Sequence, residues 1–203
     1  MSLEQGTYPL SIKGELTEPP SKALWLVKWI LVIPHFFFLT FLWMAFWVIW
    51  VIAFFAILFT GKYPRNLFNF NVGVLRWSWR VGFYTYHANG TDKYPPFTLE
   101  PVDDYPADLQ VVYPERLSQG LVLIKWWLLA IPHLIIVSLL GGGWGSDGLI
   151  NILVIIASVI LLFTGRYPQE IFKLVIDLNR WVYRVTAYIT LMTDEYPPFR
   201  LGN

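Results

Sequence analysis

Apolar residues run almost without a break from Trp29 to Gly61 and again from Trp126 to Gly145, and neither stretch contains an Asp, Glu, Lys or Arg. A helix that crosses a bilayer needs about 20 such residues. In the second stretch the glycine-rich residues 141–148 divide the run into 117–140 and 149–164, because glycine turns the chain without steric cost. The same division in the first stretch predicts crossings over 21–41 and about 44–60 with a tighter turn, a single long bent helix being the alternative there. The pattern thus predicts an all-α membrane protein with four transmembrane helices in two hairpins, over about 21–60 and about 117–164. At 1.5 Å per residue each crossing measures roughly 24 to 36 Å, enough for a hydrocarbon core of about 30 Å.

After each apolar run the period changes. Ile171, Leu174, Val175, Leu178, Trp181, Val182, Val185, Tyr188 and Ile189 follow helical spacing, with Lys173, Asp177, Arg180 and Arg184 on the opposite stripe. This predicts an amphipathic helix over about 168–192 and, by likeness, another over about 64–86, lying along the inner leaflet or packed under the spans. Ahead of each run is a short alternating piece. Leu10, Ile12 and Leu16 alternate with Ser11, Lys13 and Glu15, while Leu109 and Val111 flank Gln110, so short cytoplasmic strands are expected.

These patterns occur twice because the sequence does. Tyr8-Pro9 matches Tyr105-Pro106, Ile33-Pro34-His35 matches Ile131-Pro132-His133, and Phe59-Thr60-Gly61 matches Phe163-Thr164-Gly165. Arg76-Trp77 and Arg80 match Arg180-Trp181 and Arg184, and Tyr94-Pro95-Pro96-Phe97 matches Tyr196-Pro197-Pro198-Phe199. The first repeat is read as residues 1–101 and the second as 102–203. Two spans per repeat give the copies one orientation, related by a pseudo-twofold axis along the membrane normal.

On these motifs the chain resembles domain-of-unknown-function family 4389, a family of uncharacterised prokaryotic integral membrane proteins, in two tandem copies. The resemblance covers nearly the whole chain. It implies a membrane location and brings no reaction, ligand or catalytic residue with it. The charge-free, tryptophan-rich tip at 41–50 departs from the second copy.

Composition agrees with the bilayer: 56% of residues are hydrophobic and only 14% charged, against roughly 25% charged in soluble domains. A formal charge of +1 makes no case for nucleic acid, and zero cysteines remove disulfides and thiolate chemistry. Residues 1–20 lack a basic start, apolar core and cleavage site, so the first apolar helix is expected to direct insertion. No Lys or Arg falls in a hairpin tip. The positive-inside rule then places both termini in the cytoplasm and the tips outside, in the inner (plasma) membrane. Lys28 and Lys125, just inside the apolar register, are expected to reach back to headgroups. Trp43 and Trp144 mark the outer interface.

Few residues carry chemistry. His35 and His133 are costly in an apolar helix unless partnered. One reading has them meet near the pseudo-axis as haem axial ligands, metal ligands or a proton relay; the other has them satisfy backbone freed by a kink at Pro34 and Pro132. Arg76, Arg80, Arg180 and Arg184, four residues apart in each copy, point either to anionic lipid headgroups or a partner's carboxylates, or to internal pairing such as Asp177 with Arg180 or Arg184. Thr60-Gly61 and Thr164-Gly165 read as helix-ending turns with a left-handed glycine. No nucleophile with a base and no pair of acids is placed for catalysis, so no catalytic or metal site and no cofactor is expected, haem being the alternative. The sequence leads to a non-catalytic membrane protein, a structural or accessory subunit of a homo-oligomer or larger membrane assembly. The alternative is a small oligomeric channel or a lipid-handling transporter.

Overall fold

The computed structural model describes residues 8–141 and 148–202. The expected turn at 141–148, with Trp144 and Asp147, lies outside the described residues except for its two end glycines. The elements in order are β1 (Leu10–Gly14), a 3-10 turn (Leu24–Leu26), α1 (Lys28–Leu31), α2 (Ile33–Thr60), α3 (Arg65–Tyr84), β2 (Ala107–Val111), irregular turns (Leu121–Leu123 and Lys125–Leu129), α4 (Ile131–Gly141), α5 (Leu149–Thr164) and α6 (Gln169–Ile189). The chain is mostly helical, with two short strands.

The first-copy hairpin is not there. Residues 21–32 hold only short turns and the four-residue α1, and α2 then runs unbroken for 28 residues through the expected tip at 41–50. That tip, Phe-Leu-Trp-Met-Ala-Phe-Trp-Val-Ile-Trp, contains neither glycine nor proline. Nothing in it offsets the loss of helical hydrogen bonds that a turn among apolar side chains would bring. The described residues therefore do not form four transmembrane helices: α2 alone among the described helices is both long and apolar enough to cross a bilayer, with a mean hydropathy of 2.5. With one membrane-capable helix in place of the two expected, the parity that set the axis along the membrane normal no longer holds. Pro34 is also relocated. It stands in the first turn of α2, and Pro132 likewise is the second residue of α4, positions where a missing N–H loses no helical bond, so they start helices and kink none.

The amphipathic helices occur close to their expected bounds, yet α3 does not lie on a surface. Apart from Ser78 its residues from Asn71 to Tyr84 are buried, because α2 covers one side and β2 the other. Helix α6 keeps a more exposed stripe and packs on α4, α5 and β1.

β1 and β2 pair antiparallel, with Ile12 opposite Leu109. Both residues stand four places after their repeat's tyrosine, so the ladder's central pair consists of equivalent residues and a local twofold passes between them. Flanking bonds repeat the symmetry: Glu15 N–H donates to Pro106 O at 3.0 Å and Val112 N–H to Pro9 O at 2.8 Å. Each strand docks on the other copy's helix, β1 on α6 and β2 on α3. The tyrosines fix this exchange. Tyr8 donates to Arg184 O (3.3 Å) and Glu195 O (3.1 Å), and Tyr105 to Arg80 O (3.4 Å) and Lys93 O (3.3 Å).

Candidate functional site

The repeated motifs converge on three buried clusters, each built once per copy. In the first, the fully buried His35 ring near the start of α2 accepts the Trp77 indole N–H at Nδ1 (2.9 Å), and Phe97 stacks on it with centroids 3.9 Å apart. Tyr94 closes the side and donates to Leu31 O at 2.8 Å. The second copy repeats this with His133, Trp181 (3.3 Å), Phe199 (4.2 Å) and Tyr196, whose hydroxyl donates to Leu129 O at 3.2 Å. A neutral imidazole that accepts at Nδ1 carries its proton on Nε2, and both Nε2 atoms are buried without a partner among the described residues. The two boxes share no residue. The histidines thus do not converge on one bis-histidine site, and each is walled in by aromatic rings.

The second cluster forms around the two lysines expected at the headgroups. Lys28, 1% exposed, and Lys125, 0% exposed, do not reach headgroups. The Lys28 ammonium donates to Asn89 Oδ1 and Thr91 O at 2.7 Å each, lies 2.9 Å from Asp92 Oδ1, and sits 4.7 Å above the Tyr84 ring. Lys125 likewise meets Thr193 O (2.9 Å), Asp194 Oδ1 (2.6 Å) and Tyr188 (5.7 Å). The other carboxylate oxygen accepts the N–H of Ser21 or Ser118 at 2.5 Å. Burial raises the Asp92 pKa, but the Ser21 hydroxyl and N–H and the Lys28 charge outweigh it and hold the carboxyl below its ordinary value. A signal existed: Thr-Asp precedes Tyr-Pro-Pro-Phe by one residue in both copies, at 91–92 and 193–194.

The third cluster takes the arginines inward. Arg76 donates to Leu109 O (2.9 Å) and Leu99 O (2.8 Å) and pairs with Asp108 at 3.0 Å. Arg80 donates to Thr98 O (3.3 Å) and Glu100 O (2.9 Å) and pairs with Asp108 at 3.4 Å. On the first repeat's strand, which covers α6, Ser11 stands where β2 has Asp108, and Arg180 pairs with Asp177 of its own helix instead. Arg184 donates to Gly202 O at 2.8 Å and lies against the Tyr8 ring. These guanidinium groups serve the protein's own carbonyls and carboxylates, and Arg76, Arg80 and Arg184 are buried away from any headgroup. The exposed cations lie elsewhere. Arg116 approaches Gly61 at the end of α2, and Lys22 approaches Gly165 at the end of α5, both beside exposed Lys62 and Arg166.

Those two glycines have φ of 68° and 72° and donate back to Ile57 O and Leu161 O at 2.8 Å. The Thr60 and Thr164 hydroxyls donate to Ala56 O (2.6 Å) and Ile160 O (2.7 Å) and accept the N–H of Lys62 and Arg166 at 3.2 Å. They finish α2 and α5.

Each cluster is thus assembled from the same motif set in both halves, and the profile of a domain of unknown function, DUF4389, matches residues 21–98 and 122–200. The chain belongs to this family. No curated protein and no solved structure matches it. Both DUF4389 copies contain the histidine box, the buried lysine and the inward arginines. A groove of about 610 Å³ lies between α2 and α3, where Ser78, Gly82 and His87 contribute to the lining. Among the described residues no three His, Cys, Asp or Glu side chains gather as metal ligands.

Proposed function

We propose that the chain is a multi-pass integral protein of the cell's inner membrane that acts without catalysis, as a structural or accessory subunit of a homo-oligomer or larger membrane assembly. The observation that carries this reading is the surface of α2. Phe37, Phe41, Trp47, Val48, Phe55 and Phe59 are all exposed on it, far more contiguous apolar surface than water tolerates. Hydrocarbon or a partner helix must cover it. At about 42 Å, by 1.5 Å per residue, α2 crosses a core of about 30 Å with tilt to spare, and α4 with α5 supplies the equivalent crossing of the second copy. Internal use of the repeated lysines, histidines and arginines supports a scaffold over a reaction centre.

The lipid-handling alternative gains support from the α2–α3 groove, which opens along the same helix. Membrane fractionation followed by size determination in nanodiscs tests the main reading. Extraction only by detergent and a mass of several chains, or of this chain with another subunit, is the expected result. A lone monomer without partner or ordered lipid overturns it.

A further inference from the structure

The groove combines the membrane-capable helix with polar groups that have no partner among the described residues. Phe36, Thr40, Met44 and Trp47 of α2, spaced along one helical face, form one wall, and α3, His87 and Tyr183 form the other. Its volume of about 610 Å³ lies within the 300 to 1,000 Å³ usual for small-molecule sites. No Asp, Glu, Lys or Arg lines it. Most of its polar groups are already satisfied: Trp43 N–H donates to Ser78 Oγ (3.1 Å), Thr40 to Phe36 O (2.8 Å) and Thr85 to Val81 O (2.8 Å). The exposed His87 imidazole and the Tyr183 hydroxyl have no partner among the described residues. Facing hydrocarbon, such donors are costly unless something accepts from them.

The duplication shows that this arrangement is not inherited scaffold. Ser78 and Gly82 correspond to Val182 and Thr186, and no histidine stands in the matching segment at 190–192. Gly82 has a specific task. A β-carbon there would stand 2.6 Å from His87 Nδ1, so only glycine lets the ring lie against α3.

We propose that this groove holds one acyl chain of a membrane lipid along Phe36 to Trp47, with the lipid's ester carbonyl accepting hydrogen bonds from His87 and Tyr183. The uncharged lining selects a neutral acceptor over a phosphate, and two donors facing one space match a carbonyl. Hydrocarbon around α2 makes an acyl chain the occupant at hand. The inference rests on the membrane reading above.

The test uses the full chain in phosphatidylcholine vesicles containing a phosphatidylcholine with a photoreactive diazirine in its acyl chain, with adducts mapped by mass spectrometry. Adducts should concentrate on residues 36–47 and on Tyr183. Met44→Trp or Thr40→Phe, both at exposed positions, should block the mouth and abolish the Tyr183 adduct while labelling around Phe55 and Phe59 persists. His87→Phe should reduce it about fivefold, as expected for one neutral hydrogen bond. Labelling spread evenly over α2 and unchanged by the blocking variants overturns the groove proposal alone, as do crosslinks joining two chains at residues 36–47, which would make a second copy the occupant. Absence of labelling at Phe55 and Phe59 as well overturns the membrane reading itself.

Discussion

Lys28 is a charge buried beside an apolar helix, and what surrounds it decides whether it stabilises or strains the fold. An unpaired buried ammonium is severely unfavourable, whereas here a carboxylate, an amide oxygen, a backbone carbonyl and a ring face all meet it. Removing Asp92 should therefore cost about 3 kcal/mol, the lower end for a broken buried pair, since its side chain is 28% exposed. The sign with pH follows from its lowered pKa. A carboxyl whose folded pKa lies below the unfolded value of about 3.9 contributes stability that is full above it and lost as pH falls through the folded value. The thermal midpoint of the wild-type chain in detergent should drop on acidification below about pH 4, and Asp92→Asn should start lower at neutral pH and fall less steeply. Equal acid slopes would remove Asp92 from the account. At His35, substitution by phenylalanine preserves the stack on Phe97 but strands the Trp77 indole N–H, a loss of about 1 to 3 kcal/mol. Trp77→Phe in the same background should recover part of it. The enclosed rings also predict that purified protein incubated with haem shows no Soret band; a bis-histidine spectrum lost in His35→Phe would reverse that.

Helix α2 shows what could and could not be read locally. Its residues 41–50 hold no breaker, and local chemistry alone predicts continuous helix; the hairpin came from transferring the second copy's glycine-rich division to a segment that lacks those glycines. The helix ends were legible because Thr-Gly states its own geometry at a single position. The arginine networks were not, since Arg76 and Arg80 find Asp108 on a strand more than twenty residues downstream, and no helical spacing reports a partner so distant. Asp177 with Arg180, one turn apart, was legible for the opposite reason. Two substitutions test the helix boundaries. Gly61→Ala places a β-carbon at φ 68° and 3.3 Å from Leu117 O, and should lower stability by about 1 to 2 kcal/mol. Pro34→Ala, in a first turn with no bond at stake, should change it by less than about 1 kcal/mol. A large effect at Pro34 with a kink-like loss of structure in the middle of α2 would restore a proline-centred bend.

At the scale of the whole molecule the two copies are interlocked, because each strand leaves its own repeat to dock on the other's long amphipathic helix. The local twofold between Ile12 and Leu109 relates the two strands, and each docks on the other copy's helix, so a perturbation in one copy should register in the other. Tyr8 lies in the first repeat and donates to the carbonyls of Arg184 and Glu195 in the second; Tyr105 does the reverse with Arg80 and Lys93. Each hydroxyl is a modest contributor, about 1 kcal/mol per bond, small enough to loosen a region without unfolding the protein. Tyr8→Phe should therefore raise amide hydrogen exchange across residues 184–195 and leave residues 80–93 protected, and Tyr105→Phe should invert the pattern. Exchange rising in the mutated tyrosine's own repeat would mean that each copy closes its core by itself. The interlocked reading requires the crossed result, since each tyrosine hydroxyl donates to backbone of the other repeat.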